Sequence, residues 1–243
     1  MHDSALLNAK RFFETYAPHQ PASPLVVDLG SMNVNGSIKQ VCQADFRYIG
    51  IDFEPGPGVD HVMKEPYSIP VQSDSIDMVV ASSVFEHSPM FWLLFLEVMR
   101  ILKPTGLFYL NVPSNGAFHR HPLDCWRFYP DAADALAQWA KINKLNTTFL
   151  ESWWSAKGND GSEWNDFVAV FLKDEKHVDL YPNRIPFDIA KNGQKLWKIK
   201  HGEIYNARFH GWAEHQILDL QDFPQGGQTP IEIKQNKPRI NIE

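Results

Sequence analysis

The sequence is poor in cysteine: Cys42 and Cys125 are the only two among 243 residues. No disulfide framework can be built from them, and a reducing cytoplasm is the expected compartment. Positive charge is not in excess either. Lys and Arg number 23 against 29 Asp and Glu, a net charge of −6, which argues against a broad electrostatic surface for nucleic acid. No apolar run is long enough for a bilayer; the longest, around "MFWLLFLEVMRIL", is broken by Glu97 and Arg100. The first twenty residues lack a basic segment followed by an apolar core, so no signal peptide is expected there. What remains is an ordinary globular composition, at a length suited to one sizeable α/β domain with an appendage.

Four apolar runs of strand length follow one another: "LVVDLG", "RYIGIDF", "DMVVASSVF" and "GLFYLNVP". They are rich in Val, Ile, Leu, Phe and Tyr and do not alternate strictly, as strands covered on both faces do not. Helical spacing is present over residues 4–17, in "SPMFWLLFLEVMRIL" and in "PDAADALAQWAKI", with Lys103–Gly106 expected to close the second of these as a turn. Strands alternating with helices predict βαβ units and a mostly parallel, doubly wound sheet of about seven strands. "NTTFLESWWS" and "DFVAVFLK" have no helix between them, so they are expected to pair as an antiparallel terminal hairpin. The organisation read from this is an N-terminal helix and linker over 1–21, a ligand-binding domain over 22–173, and an irregular extension over 174–243. The extension's Trp197, Tyr205, Phe209 and Trp212 predict partial packing on the domain, with the last fifteen or so residues frayed.

Glycine is scarce where a dinucleotide would need it. In "VVDLGSMNVNGS" the G-x-G-x-x-G pattern counted from Gly30 meets Met32 and Asn35, and a side chain at the second position obstructs a pyrophosphate. A nicotinamide or flavin oxidoreductase is therefore disfavoured. Asp52 ends the second strand about two dozen residues after Asp28, where an acid accepts hydrogen bonds from ribose hydroxyls. A nucleoside without a pyrophosphate suits both features.

Four segments together resemble the class I S-adenosylmethionine-dependent methyltransferases of the type 11 kind. "VVDLGSMNVNGS" is similar to the family's D-x-G-x-G-x-G loop, and "YIGIDFEPGPGVD" to its second strand with a terminal acid. "YSIPVQSDSIDMVVASSVFEH" is similar to its L-P-x-x-x-x-S-F-D stretch and fourth strand, and "VMRILKPTGLFYLNVPS" to its R-x-L-K-P-G-G segment and fifth. The resemblance covers residues 24–113 and extends towards 173, and it implies a Rossmann-like fold and S-adenosylmethionine as cofactor. It places Asp28, Gly30 and Ser31 at the methionine part, Asp52 on the ribose and Phe53 against the adenine. Glu65, Pro66 and Tyr67 would meet the adenine edge.

The acceptor is expected at the carboxyl ends of the strands. There "NVPSNGAFHRHPLDCWRFYPD" gathers basic and aromatic groups, and Arg120, Trp126, Arg127 and Tyr129 are the candidate contacts for a polar or anionic acceptor. The competing reading of this loop is a lid whose rings pack on the cofactor and whose arginines pair with Asp124 or Asp131. His87, His119 and His121 are the candidate bases. No metal is expected, because Ser83 stands where a further carboxylate would be wanted, although His119 or His121 could complete a ligand set begun by Glu86 and His87. The reading is thus a methyltransferase acting on oxygen or nitrogen of a small molecule or glycan. "RHPLDCWRFYPDA" resembles a loop of type 11 relatives associated with glycan synthesis. The alternative is a non-catalytic binding or partner protein that keeps the fold.

Overall fold

The structure, a computed structural model, describes residues 3–155, 164–185 and 204–210. Within them a single sheet carries the molecule. Its strands are β1 (Leu25–Leu29), β2 (Arg47–Asp52), β3 (His61–Val62), β4 (Ile76–Ser82), β5 (Leu102–Pro113), β6 (Thr148–Ser155), β7 (Asp166–Leu172) and β8 (Ile204–Phe209). Their order is β3-β2-β1-β4-β5-β7-β6-β8. The first five are parallel neighbours, whereas β7 pairs antiparallel with both β5 and β6. The expected hairpin of β6 and β7 is present, with β7 inserted between β5 and β6.

Both faces are covered, which explains the unbroken apolar runs. On one face lie α2 (Phe91–Ile101) and α3 (Ala132–Ile142), with Phe95, Phe108 and Phe171 packed together. Glu97 and Arg100, the charges that interrupt α2, have a structural use. Glu97 Oε2 accepts from Ile69 N at 3.0 Å, and Arg100 donates to the carbonyls of Ile69 and Val71 at 2.8 and 2.9 Å. They fasten the segment before β4 to the helix. On the other face lies α1 (Asp3–Tyr16), whose Phe12, Phe13 and Tyr16 are fully buried against Tyr109 and its neighbours.

Three expectations need correction. The stretch after β1 forms only a 3₁₀ turn, Ile38–Val41, capped by Ser37 Oγ accepting from Lys39 N at 3.2 Å. The β1–β2 crossover therefore has no α-helix, and α1 covers that face instead. Residues 103–106 do not close α2 as a turn but begin β5, Leu102 pairing with Ile76 across a bulge. Backbone partners hold them there: Lys173 N donates to Gly106 O at 3.1 Å and the Tyr181 hydroxyl to Thr105 O at 2.6 Å. Finally, the extension is not wholly irregular, since β8 pairs antiparallel with β6 and covers an edge that would otherwise expose unpaired amides and carbonyls. Tyr205 and Phe209 belong to β8; Trp197, Trp212 and the last fifteen residues lie outside the described residues.

If α1 is part of the core, Phe12→Ala should cost about 3–5 kcal/mol, the usual loss for a buried ring. Urea unfolding measures this. A loss under about 1 kcal/mol would mean that α1 is an appendage.

Candidate active site

Strand β1 ends at a turn that only glycine makes without strain. Gly30 has φ +74°, and a Cβ there would lie 2.2 Å from Val84 Cγ2. The turn directs Gly30 N and Ser31 N to Ile51 O at 2.9 and 3.3 Å, and Met32 N to Asp52 Oδ2 at 3.0 Å. Asp52 Oδ1 accepts from Phe53 N at 2.7 Å and, more loosely, from Glu54 N at 3.4 Å. An ionised carboxylate has about four acceptor positions, so half-buried Asp52 retains capacity toward solvent. Beside it the Phe53 ring is half exposed.

The loop after β2 folds back onto this turn. Asn33 N donates to Pro57 O at 2.7 Å, and Met32 packs on Gly56 at a position where a Cβ would come within 3.1 Å of Met32 Cγ. The methionine that breaks the glycine pattern thus has a packing partner. Glu65 and Pro66 are exposed beyond β3, and Tyr67, at φ +61°, accepts Met90 N on its hydroxyl at 3.2 Å. Asp28 lies elsewhere. Its carboxylate is buried and accepts the Tyr48 hydroxyl at 2.7 Å. Ser31 is buried with no partner for its Oγ.

The second half of the site stands at the carboxyl ends of β4 and β5. Glu86 O accepts from Cys125 N and Trp126 N at 2.7 and 3.2 Å, and His87 Nδ1 bonds Leu123 O, pinning the 119–129 loop over the end of β4. His87, His119 and His121 cluster, their ring centroids 5.0 to 6.3 Å apart. Arg127 is engaged within the loop: its guanidinium grips Asp124 with both Nη atoms, donates to Ala117 O and Trp126 O, and lies over the Trp164 ring. It serves as the loop's brace. Arg120 is exposed, its guanidinium over the Phe118 ring. Trp126 donates to Ser88 O at 3.0 Å and packs edge-on to Phe91, while Tyr129 meets Trp154.

Burial sets the charge states. It pushes the Asp28 carboxyl up to about 7, against the opposing hydrogen bond from Tyr48. It pushes Glu86 up to about 8 and lowers His87 below the ordinary histidine value, favouring neutral forms of both. Asp124 goes the other way, held well below the usual carboxylate range by Arg127.

A family profile described as a methyltransferase domain matches residues 28–110. That span contains the Gly30 turn, Asp52 and the end of β4. Over that span the chain is similar to a methyltransferase domain. Its relatives include a Mycobacterium leprae uncharacterized methyltransferase, 26% identical over 166 residues, covering 62% of this chain and 60% of the relative. A Mycobacterium ulcerans uncharacterized methyltransferase is 27% identical over 140 residues, covering 51% and 54%. The chain thus spans just over half the length of these curated relatives. Among solved structures, a Burkholderia thailandensis 1,6-didemethyltoxoflavin-N1-methyltransferase, determined with 1,6-didemethyltoxoflavin and S-adenosylhomocysteine bound, shares the methyltransferase fold. The TM-score is 0.53 at 15% identity, over 71% of this chain and 80% of that one.

Several residues of the site were not singled out from the sequence. Tyr48 carried a usable signal: it shares a face of β2 with Gly50 and Asp52 at a spacing of two, and β2 pairs in register with β1. Trp164 depends on tertiary contacts and had none, whereas the pairing of Arg127 with Asp124 is the one foreseen in the competing reading of the loop.

The raised Asp28 value has a definite sign. The folded state favours the protonated acid, so its stability contribution is full below the unfolded value near 4 and is lost as pH rises through about 7. Asn at this position cannot ionise. The stability advantage of Asp28→Asn over wild type should therefore grow by about 2–3 kcal/mol between pH 5 and pH 8, measured by urea unfolding without ligand. A flat difference would show that Asp28 is not buried as described.

Proposed function

We propose that the chain is an S-adenosylmethionine-dependent methyltransferase that transfers a methyl group to an oxygen or nitrogen of a small-molecule or glycan acceptor. The observation that carries this reading is Asp52, with open acceptor capacity at the end of β2, beside the left-handed Gly30 turn and the exposed face of Phe53. These residues fit a nucleoside. Ribose hydroxyls would bond Asp52, the adenine would lie on Phe53 with Glu65, Pro66 and Tyr67 at its edge, and the methionine part would run along Gly30 and Ser31. Asp28, tied to Tyr48, supports that turn from the buried side.

The cofactor's sulfonium supplies an activated methyl group when bound. The chain's own residues then hold the acceptor and manage its proton. Exposed Arg120, Trp126 and Tyr129 suit an acceptor that carries a ring and a negative charge. Arg127 acts on it indirectly, by fixing the loop. A neutral histidine of the cluster His87, His119 and His121 takes the acceptor proton. Among the described residues no helix is long and apolar enough to cross a membrane. The two free cysteines suit the cytoplasm.

Asp52→Ala should weaken S-adenosylhomocysteine binding at least about tenfold by calorimetry, since it removes charge-assisted hydrogen bonds. Unchanged affinity would refute the assignment of this crevice. For an acceptor identified by screening with labelled methyl donor, Arg120→Ala should lower kcat/KM while the S-adenosylhomocysteine Kd stays within about threefold. Equal losses in both would make the loop a cofactor lid.

A further inference from the structure

Glu86 is 1% exposed, and neither of its side-chain oxygens has a hydrogen-bond partner. A buried carboxyl group left in this way is costly, and among the described residues no cationic side chain makes hydrogen-bond contact with those oxygens. Beside it stand two imidazoles. One ligand atom each from Glu86, His87 and His119 lie within 4.8 Å of one another. Between Glu86 Oε1 and His87 Nε2 the distance is 3.7 Å. Two ligands on a tetrahedral ion, each about 2.1 Å from it, stand roughly 3.4 Å apart, so this pair is already close to ligand spacing.

The outer contacts of the two histidines point the same way. His87 Nδ1 bonds the carbonyl of Leu123, which leaves Nε2 with its lone pair facing Glu86. His119 Nδ1 lies 3.2 Å from Ala117 O and 3.4 Å from Asp124 Oδ2. A proton shared with those oxygens makes its Nε2 the basic nitrogen. Metal-bound histidines typically give their second nitrogen to a carbonyl or carboxylate in this manner. Asp124 is in turn fixed by Arg127, so the brace that shapes the loop also orients His119.

We infer that Glu86, His87 and His119 form a binding site for a divalent transition ion of the zinc type. Two nitrogens and one oxygen suit such an ion better than magnesium or calcium, which prefer oxygen alone. This reverses the expectation drawn from Ser83, because the third ligand comes from the loop after β5 instead of from β4. Three protein ligands leave a coordination position open. The site itself stands independently of the methyltransferase reading; its use rests on that reading. The ion would hold an acceptor oxygen and favour loss of its proton, which leaves to water or to His121, whose ring lies 6.2 and 6.3 Å from those of His119 and His87. The new carbon–oxygen bond then forms with the oxygen's electron pair, as the methyl donor's carbon–sulfur bond breaks with its electrons on sulfur.

The test is titration of the chelator-treated full chain with Co²⁺ and Zn²⁺, following cobalt's visible absorption and the heat of binding. One ion per chain is expected. Glu86→Gln and His119→Ala should each weaken binding at least about tenfold. His61→Ala, on exposed β3, should leave it unchanged. Far-ultraviolet circular dichroism of the metal-free variants checks that each is folded. S-Adenosylhomocysteine is titrated separately. No saturable cobalt binding, or equal affinity in wild type and both ligand variants, overturns the site. A chain that binds S-adenosylhomocysteine but not cobalt loses the metal site and keeps the methyltransferase reading. One that binds cobalt in this ligand-dependent way without S-adenosylhomocysteine supports the site alone.

Discussion

The crevice depends on the turn at Gly30. A left-handed residue without a side chain lets β1 stop beneath Val84 and present successive backbone amides to the end of β2, two to Ile51 O and one to Asp52. Those bonds join the ends of two parallel strands whose own ladder has run out. They also fix the Asp52 carboxylate at the rim without using all its acceptor capacity. Any other residue at position 30 would adopt a strained φ and collide with Val84.

The parallel sheet explains why the remaining polar groups converge there. Central strands β1 and β4 are covered on both faces, so chemistry is confined to the ends of the strands. At one end of the crevice stand Asp52 and Phe53; at the other, beyond Val84, stand Glu86 and His87 under the loop from β5. The backbone carbonyl of Glu86 holds this second half together. It leads out of β4 and accepts the two amides that pin the loop bearing His119 and Trp126.

Much of this was legible in the sequence because it follows from local pattern. Unbroken apolar runs announced buried parallel strands, the missing helix between the last two runs announced the hairpin, and the Asp28 to Asp52 spacing pointed to two strands that lie side by side. The misreadings arose where tertiary contacts override local signals. Lys103–Gly106 has turn chemistry, yet Tyr181 and Lys173 hold it as strand. The β1–β2 crossover makes only a 3₁₀ turn where a βαβ unit would have a helix, while α1, earlier in the chain, covers the face. β8 is drawn to the β6 edge from a stretch with little regular pattern. In the loop, Arg127 and Arg120 look alike in sequence; only the partner at Asp124 separates a brace from an exposed cation.

In the proposed function, the crevice between Gly30 and Asp52 takes a methionine-bearing nucleoside and not a dinucleotide. Calorimetric titration of the intact chain with S-adenosylhomocysteine and, in parallel, with NAD tests it most directly. Saturable one-to-one binding of S-adenosylhomocysteine and no measurable heat with NAD are expected. Binding of NAD, or no binding of S-adenosylhomocysteine by the folded protein, would contradict it.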